Sequence, residues 1–428
     1  MYFISSAHHE QPQTLSEAIR AGLASDGGLY VPQTFPSLNF SQLTANLSYP
    51  DFARSLLQAF FKQDPLEKYL KSFCDKAFCF PLPLKSIDAH TYVLELFHGP
   101  TLSFKDFGAR FLAECLNQLS ENQKTTIMVA TSGDTGSAVA SAFHLKPNLQ
   151  VIVLYPKGKI SQRQEHQITC WGDNVLALAV EGNFDDCQNL VKTAFKNSVW
   201  QEHLHLSSAN SINIGRLLPQ ITYYAYTSIQ FFHQYQKMPG FIIPTGNLGN
   251  ATAAYWAKTL GFPIREIVLA TNANTVIPDY IKTGTFTPRS SISTLANAMD
   301  VGNPSNFERL RYLYPDFEEF KYQVHAWSAT DDNIRHTIQE VYEKYHYLIC
   351  PHTATTFFAR NHLPQDRDWI VVATADPCKF EEIIEPLLGI HVPVPPQLKT
   401  LLSKPSQMIT VKADLEEIRQ VLKIRGLY

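Results

Sequence analysis

Apolar residues along this chain follow two spacings in alternation. Short runs rich in valine, isoleucine and leucine read as strands buried on both faces: TYVLELF at 91–97, TTIMVAT at 125–131, VIVLYP at 151–156, NVLALAV at 174–180, HLHLSS at 203–208, GFIIPTG at 240–246, EIVLATN at 266–272 and WIVVATA at 369–375. Between most of them lie segments of helical spacing, among them SAVASAFHL, SQRQEHQITCW, FDDCQNLVKTAF and ATAAYWAKTLG. The alternation predicts an α/β protein with two open, mostly parallel sheets and flanking helices. A long helix-like run from Asn210 to about Gln236 is placed to bridge the sheets, and Pro219 inside it predicts a kink.

The first 85 residues read as a small, mainly helical domain, with a helix-like TLSEAIRAGL at 14–23, a tight turn at Asp26-Gly27-Gly28, and PLPL at 81–84 as its boundary. Residues 86–236 then form a small α/β domain and residues 237–428 a larger one. Within the latter, 283–330 offers helices but few strands. After Leu388 a proline-rich extended connector leads to a last helix, DLEEIRQVLKI.

Composition narrows the function. With 428 residues, 45% hydrophobic and 18% charged, the chain can bury a sizeable core. A net charge of -3 without a basic tract or acidic block gives no support to nucleic acid or a membrane surface as partner, so the expected ligand is small. Seven scattered cysteines form neither a CxxC pair nor a disulfide framework and read as reduced thiols of a cytoplasmic protein. The N-terminus lacks the signature of a secretory leader, and no run approaches a membrane span. No HExxH or histidine–cysteine grouping supports a metal, and there is no GxSxG elbow.

The strongest candidate for chemistry is the stretch from Glu95 to Arg110, ELFHGPTLSFKDFGAR. Phe104, Phe107, Phe111, Cys115 and Leu119 recur at three- and four-residue steps, Ser103 suits an N-cap, and Lys105 falls in the first helical turn. The helix dipole and burial among phenylalanines both oppose a positive charge there, which favours the neutral amine. A neutral lysine can attack a carbonyl and hold it as an imine. Taken alone, such a lysine is more often a surface partner for an acid such as Asp106.

Four turns lie where ligands bind in open α/β sheets, beyond the carboxyl ends of strands. Thr131-Ser132-Gly133-Asp134-Thr135-Gly136 joins a strand to a helix and offers backbone N–H groups and small hydroxyls to an anion. Thr245-Gly246-Asn247-Leu248-Gly249-Asn250 does the same, with two glycines that let a phosphate approach closely; it has neither the GxGxxG nor the P-loop spacing. A second anion region combines SANSINIGR at 208–216, with Ser211, Asn213 and Arg216, and YPKGKIS at 155–161, with Lys159. Thr374 ends the last strong strand, where its hydroxyl can meet a ring nitrogen.

Together HGPT-SFKD, TSGDTG, SANSIN-R, PTGNLG and Thr374, preceded by DGGLYVP at 26–32, resemble the threonine synthase family in its longer bacterial and fungal form. The resemblance implies the tryptophan-synthase-like fold of pyridoxal-phosphate enzymes and covers nearly the whole chain. It implies that Lys105 holds pyridoxal 5'-phosphate as an imine and later serves as the base. It further implies that Asp134, where related enzymes often have Asn, sits near the cofactor's 3'-oxygen. Gly246, Asn247, Leu248, Gly249 and Asn250 hold its phosphate, and Thr374 meets its pyridine nitrogen. Ser132, Gly133, Thr135 and Gly136 face the substrate carboxylate, and Lys159, Ser211, Asn213 and Arg216 its phosphate. Asn250 stands where some relatives have Asp. The implied reaction turns O-phospho-L-homoserine and water into L-threonine and phosphate, in a monomer or homodimer. The alternatives are a phospho-lyase that stops at 2-oxobutanoate and a non-catalytic phospho-ligand sensor.

Overall fold

The continuous apolar runs become strands without an exposed face. In the computed structural model, which describes residues 1–40 and 43–428, the chain opens with a three-stranded antiparallel sheet of β1 (Tyr2–Ser5), β2 (Gln13–Thr14) and β3 (Tyr30–Pro32), in the order β2-β1-β3. Helices Leu15–Ala21, Tyr49–Phe61 and Leu70–Ala77 complete this lead-in. The first is fixed by a capping box, Thr14 accepting from Glu17 N while the Glu17 carboxylate accepts from Thr14 N. The lead-in thus carries a sheet in addition to the expected helices, because strands of two to four residues leave no periodic trace in sequence.

The remaining strands are β4 (Leu84–Ser86), β5 (Thr91–Glu95), β6 (Thr125–Ala130), β7 (Leu149–Pro156), β8 (Val175–Glu181), β9 (Leu206–Ser207), β10 (Gly240–Pro244), β11 (Ile267–Thr271), β12 (His325–Ser328), β13 (Trp369–Ala373) and β14 (Ile409–Lys412). They build a six-stranded sheet, β12-β11-β10-β13-β5-β4, parallel except for the edge strand β4, and a five-stranded sheet, β14-β8-β7-β6-β9, parallel throughout. Every residue of β5, β10, β11 and β13 is buried. Helices therefore cover both faces.

Sheet membership does not follow the sequential division at residue 236. Strand β5 pairs with β13, far along the chain, and β14 from the tail pairs with β8. The tail also holds a helix, Pro396–Leu402, where only a connector was expected; proline at its first position suits a helix start. The expected strand at 203–208 shrinks to Leu206–Ser207, since helix Ser198–Leu204 ends there with His205 in the left-handed conformation.

The bridging helix runs Ile214–Tyr235 and continues through Pro219. It packs against helices Lys105–Leu119, Gly249–Thr259 and Tyr49–Phe61, which explains why it is buried on nearly every side over its first half. Beyond β5 and β13 the two chain segments stay paired: Leu96 N donates to Ala373 O (2.9 Å), Phe104 N to Thr374 O (2.9 Å) and Asp376 N to Leu102 O (3.1 Å). This zipper brings the start of the Lys105 helix to the end of β13.

Candidate active site

Lys105 is the first residue of helix Lys105–Leu119, and Phe104, already in helical conformation, occupies the cap. Ser103 is not the cap. Its backbone is bridged to Ala375, and its hydroxyl is buried without a hydrogen-bond partner. One residue before Ser103, Leu102 adopts φ 58°, a left-handed conformation that a leucine takes only when its surroundings impose it. The Lys105 ammonium is pushed down to about 8 by burial, with Lys379 and Arg216 adding repulsion and Asp134 opposing them.

Asp134 opens helix Asp134–Phe143 at the end of β6. Its Oδ1 accepts from Lys379 Nζ at 2.6 Å and from Gln164 Nε2 at 2.9 Å. Burial opposes its ionisation, but Lys379, Lys105 and His352 together hold it well below the usual carboxylate range. Lys379 is completely buried and also donates to Thr101 O at 2.9 Å. The loop itself is braced by Thr131, whose hydroxyl accepts from Gly133 N (3.0 Å) and Gly136 N (2.8 Å). Gly133 has φ 134°, and a methyl group on it would lie 2.6 Å from the Gln164 amide. Ser132 and Thr135 remain partly exposed at the loop surface, whereas Gly133 and Gly136 are buried.

His352, near the start of helix Pro351–Asn361, is buried beside these charges. Its Nε2 accepts from Ala298 N at 3.1 Å, so the neutral ring carries its proton on Nδ1. Burial pushes its pKa down to about 4, with Lys105 and Lys379 in the same direction and Asp134 against. Lys379, Gln164 and His352 were not among the residues expected from sequence. Lys379 lies in the 3-10 turn Pro377–Phe380, five residues beyond Thr374, and carries no local signal of its burial.

The turn after β10 is built as a cradle. Gly246 packs so closely that a methyl group on it would sit 2.7 Å from Met299 Cα, and Leu248 caps helix Gly249–Thr259 at φ 62°. Thr252 N bonds Leu248 O (2.8 Å), so the N–H groups of Gly249, Asn250 and Ala251 precede the first intrahelical bond. Asn247 braces the turn: its Nδ2 donates to Ser211 Oγ (2.6 Å), and its Oδ1 accepts from Ser305 N (2.7 Å). Asn250 Oδ1 accepts from both Tyr223 and Tyr224 hydroxyls at 2.7 Å. Its Nδ2, like the hydroxyls of Thr245 and Thr252, is buried without a partner. Unpaired buried donors beside a helix N-terminus and a glycine cradle fit a phosphate.

The second anion region divides. Arg216 is buried close enough to Lys105 to affect its charge; its Nη1 donates to Ala209 O while its Nε is buried and unpaired. Ser211 lies against the phosphate-type cradle, accepting from Asn247 and Asn306. Lys159 is exposed on the turn between β7 and helix Gln162–Thr169, and Ser161 of that turn donates to Lys379 O at 3.1 Å. Asn213 differs from its expected role. Its Oδ1 caps Gly215 N, and both Nδ2 bonds go to backbone carbonyls, Ile19 O and Ser208 O at 2.9 Å. Both ends of its amide are therefore engaged with the chain. Thr374 is buried at the end of β13, with its carbonyl bonded to Phe104 N.

One further buried cation supports both anion regions. Arg309 Nε donates to Tyr30 O (3.1 Å), Nη1 to Ser211 O (3.0 Å) and Asn306 Oδ1 (2.7 Å), and Nη2 to Ile212 O (2.7 Å). It ties β3 of the lead-in to the SANSIN loop.

Comparison with known proteins spans nearly the whole chain. The family described as "Pyridoxal-phosphate dependent enzyme" matches residues 81–375, "Threonine synthase N terminus" residues 2–78, and "Threonine synthase, C-terminal" residues 352–422. The chain is 38% identical over 416 residues to threonine synthase of Haemophilus influenzae, covering 97% of this chain and 98% of that protein. The crystal structure of threonine synthase from Escherichia coli superposes with a TM-score of 0.92 at 34% identity, covering 99% of this chain and 100% of that one. A PLP-bound threonine synthase from Brucella melitensis superposes with a TM-score of 0.92 at 32% identity over 100% of both chains.

Proposed function

Since the chain belongs to the threonine synthase family, we propose that it converts O-phospho-L-homoserine and water to L-threonine and phosphate with pyridoxal phosphate as cofactor. One observation carries this reading: a lysine amine held near pKa 8, beside the end of a strand that closes on Thr374. Pyridoxal phosphate, when bound, supplies the conjugated ring that takes up negative charge developing at the substrate Cα. Lys105 would hold it through its amine, and the same amine is the base that would remove and return protons at the substrate carbons. The cradle Gly246, Asn247, Leu248, Gly249 and Asn250 would hold its phosphate through backbone N–H groups, with the Asn250 carboxamide supported by two tyrosines. Asp134 would lie beside its 3'-oxygen and Thr374 beside its ring nitrogen.

Ser132 and Thr135 take the substrate carboxylate on the exposed side of their loop, and Gly133 and Gly136, whose N–H groups are bonded to the Thr131 hydroxyl, shape the turn that presents them. Arg216, with its free Nε, is the main ligand of the substrate phosphate, and Ser211 and Lys159 assist it. Asn213 leaves the ligand set and positions Arg216 by capping its helix. Action in the cytoplasm, as monomer or homodimer, belongs to the same reading and is supported by seven free cysteines, all buried but Cys79. The deciding experiment is product analysis with O-phosphohomoserine. Threonine and phosphate in equal amounts support the proposal, and 2-oxobutanoate as the main product replaces it by the phospho-lyase.

A further inference from the structure

Two lysines compete for one buried carboxylate in this site. Asp134 is 3% exposed and accepts both of its side-chain hydrogen bonds on Oδ1, at 2.6 Å from Lys379 Nζ and 2.9 Å from Gln164 Nε2. Lys105 is near enough to feel the same charge but makes no ion pair with it. Lys379 is fixed in the winning position by its second bond, to Thr101 O at 2.9 Å. Thr101 is in turn held by Asp106, accepting at 2.9 Å from its N–H and at 2.7 Å from its hydroxyl. The other groups facing this cluster are His352, neutral in its buried setting, Cys350, whose thiol burial pushes up to about 11, and Arg216.

We propose that Lys379 is a positioning residue whose task is to occupy Asp134, so that Lys105 stays unpaired and is available as a neutral amine. A buried carboxylate without a partner is costly and recruits the nearest cation. Were Lys379 absent, that cation would be Lys105, and an ammonium locked to Asp134 cannot attack an aldehyde. Lys379 also adds its own positive charge to the neighbourhood, which opposes protonation of Lys105. An aspartate at this place is thus compatible with a nucleophilic lysine because a second lysine neutralises it.

This inference rests on the proposed cofactor chemistry, and its test separates the two. The rate at which apoprotein captures pyridoxal phosphate, followed by the visible absorption band, is measured from pH 6 to pH 10 for wild type, Lys379→Met, Asp134→Asn and the double variant. Lys379→Met should move the midpoint upward by about one unit or more, which lowers capture at pH 7 about tenfold or more. Asp134→Asn should move it downward, since Lys105 loses its attracting charge and keeps its repelling one. In the double variant the midpoint should return towards wild type. A merely structural role for Lys379 would change amplitude or yield without this ordered displacement. An unmoved or lowered midpoint in Lys379→Met, or a double variant no closer to wild type than the single, overturns the proposal. If Lys379→Met does not fold, an unmoved midpoint in Asp134→Asn overturns it. A wild-type protein that forms no band at all removes the cofactor reading and this inference together.

Discussion

The charge state of Lys105 can be read directly as a rate. An amine held at about 8 rather than at the ordinary lysine value of 10.5 is neutral in about one molecule in ten at pH 7. An unperturbed lysine would be neutral in about three in ten thousand, so burial and neighbouring cations raise the reactive fraction about 300-fold, or about 3 kcal/mol. Stopped-flow mixing of apoprotein with pyridoxal phosphate should therefore give a capture rate that rises about tenfold per pH unit below pH 8 and levels off above it. Dividing by the rate for a blocked free lysine at the same pH cancels the cofactor's own titrations, and the ratio should be constant below about pH 8 and fall about tenfold per unit from there to pH 10. A ratio that stayed level to pH 10 would mean that Lys105 is an ordinary ammonium, and the electrostatic account of the site would fail.

Other consequences follow from the same geometry. Between about pH 8 and pH 10.5 the unfolded chain holds a proton on Lys105 that the folded chain has released, so apoprotein stability should rise with pH across that window by up to about 3 kcal/mol. Lys105→Met should abolish the visible band and flatten this rise in urea titrations. Gly246→Ala forces a methyl group to 2.7 Å from Met299 Cα, a backbone atom that cannot rotate away; overpacking of about 1–3 kcal/mol should weaken cofactor binding roughly tenfold to a hundredfold in equilibrium dialysis. Arg216→Ala should raise the KM for O-phosphohomoserine roughly tenfold to a hundredfold, the worth of a charged hydrogen bond, while a phosphate-free amino acid binds much as before. Equal losses for both ligands would refute its phosphate role.

The parts of this molecule that sequence discloses are those whose physics is local. Strands buried on both faces must be apolar throughout, so β10, β11 and β13 appear as unbroken runs and their carboxyl ends mark the ligand crevice. Lys105 is legible because an amine at a helix start is an electrostatic oddity within four residues of chain. The glycine turns are legible because a phosphate cradle needs small residues in a fixed order. The strands β1, β2 and β14 are not, since two to four residues cannot show a period. Asn213 shows how a local signal can be misassigned: an asparagine before the apolar run IGRLL is the pattern of a helix cap, and its amide is used for that.

Lys379 marks where local reading stops. Nothing in DPCKF distinguishes a buried lysine from a solvated one, because its element is a single 3-10 turn with no face to count. Its meaning comes only from a carboxylate 245 positions earlier, reached because β13 and β6 belong to different sheets that both end at the same crevice. Asp134 lies in the strand-to-helix turn that the sequence marks, but its charge could not be assigned from sequence. Burial alone would have made Asp134 a neutral acid, and a neutral acid would have left Lys105 under the influence of Lys379 and Arg216 only. The ionised pair fixes both protonation states at once. The acidity of Lys105, set first by burial, is therefore adjusted by the placement of Lys379 against Asp134.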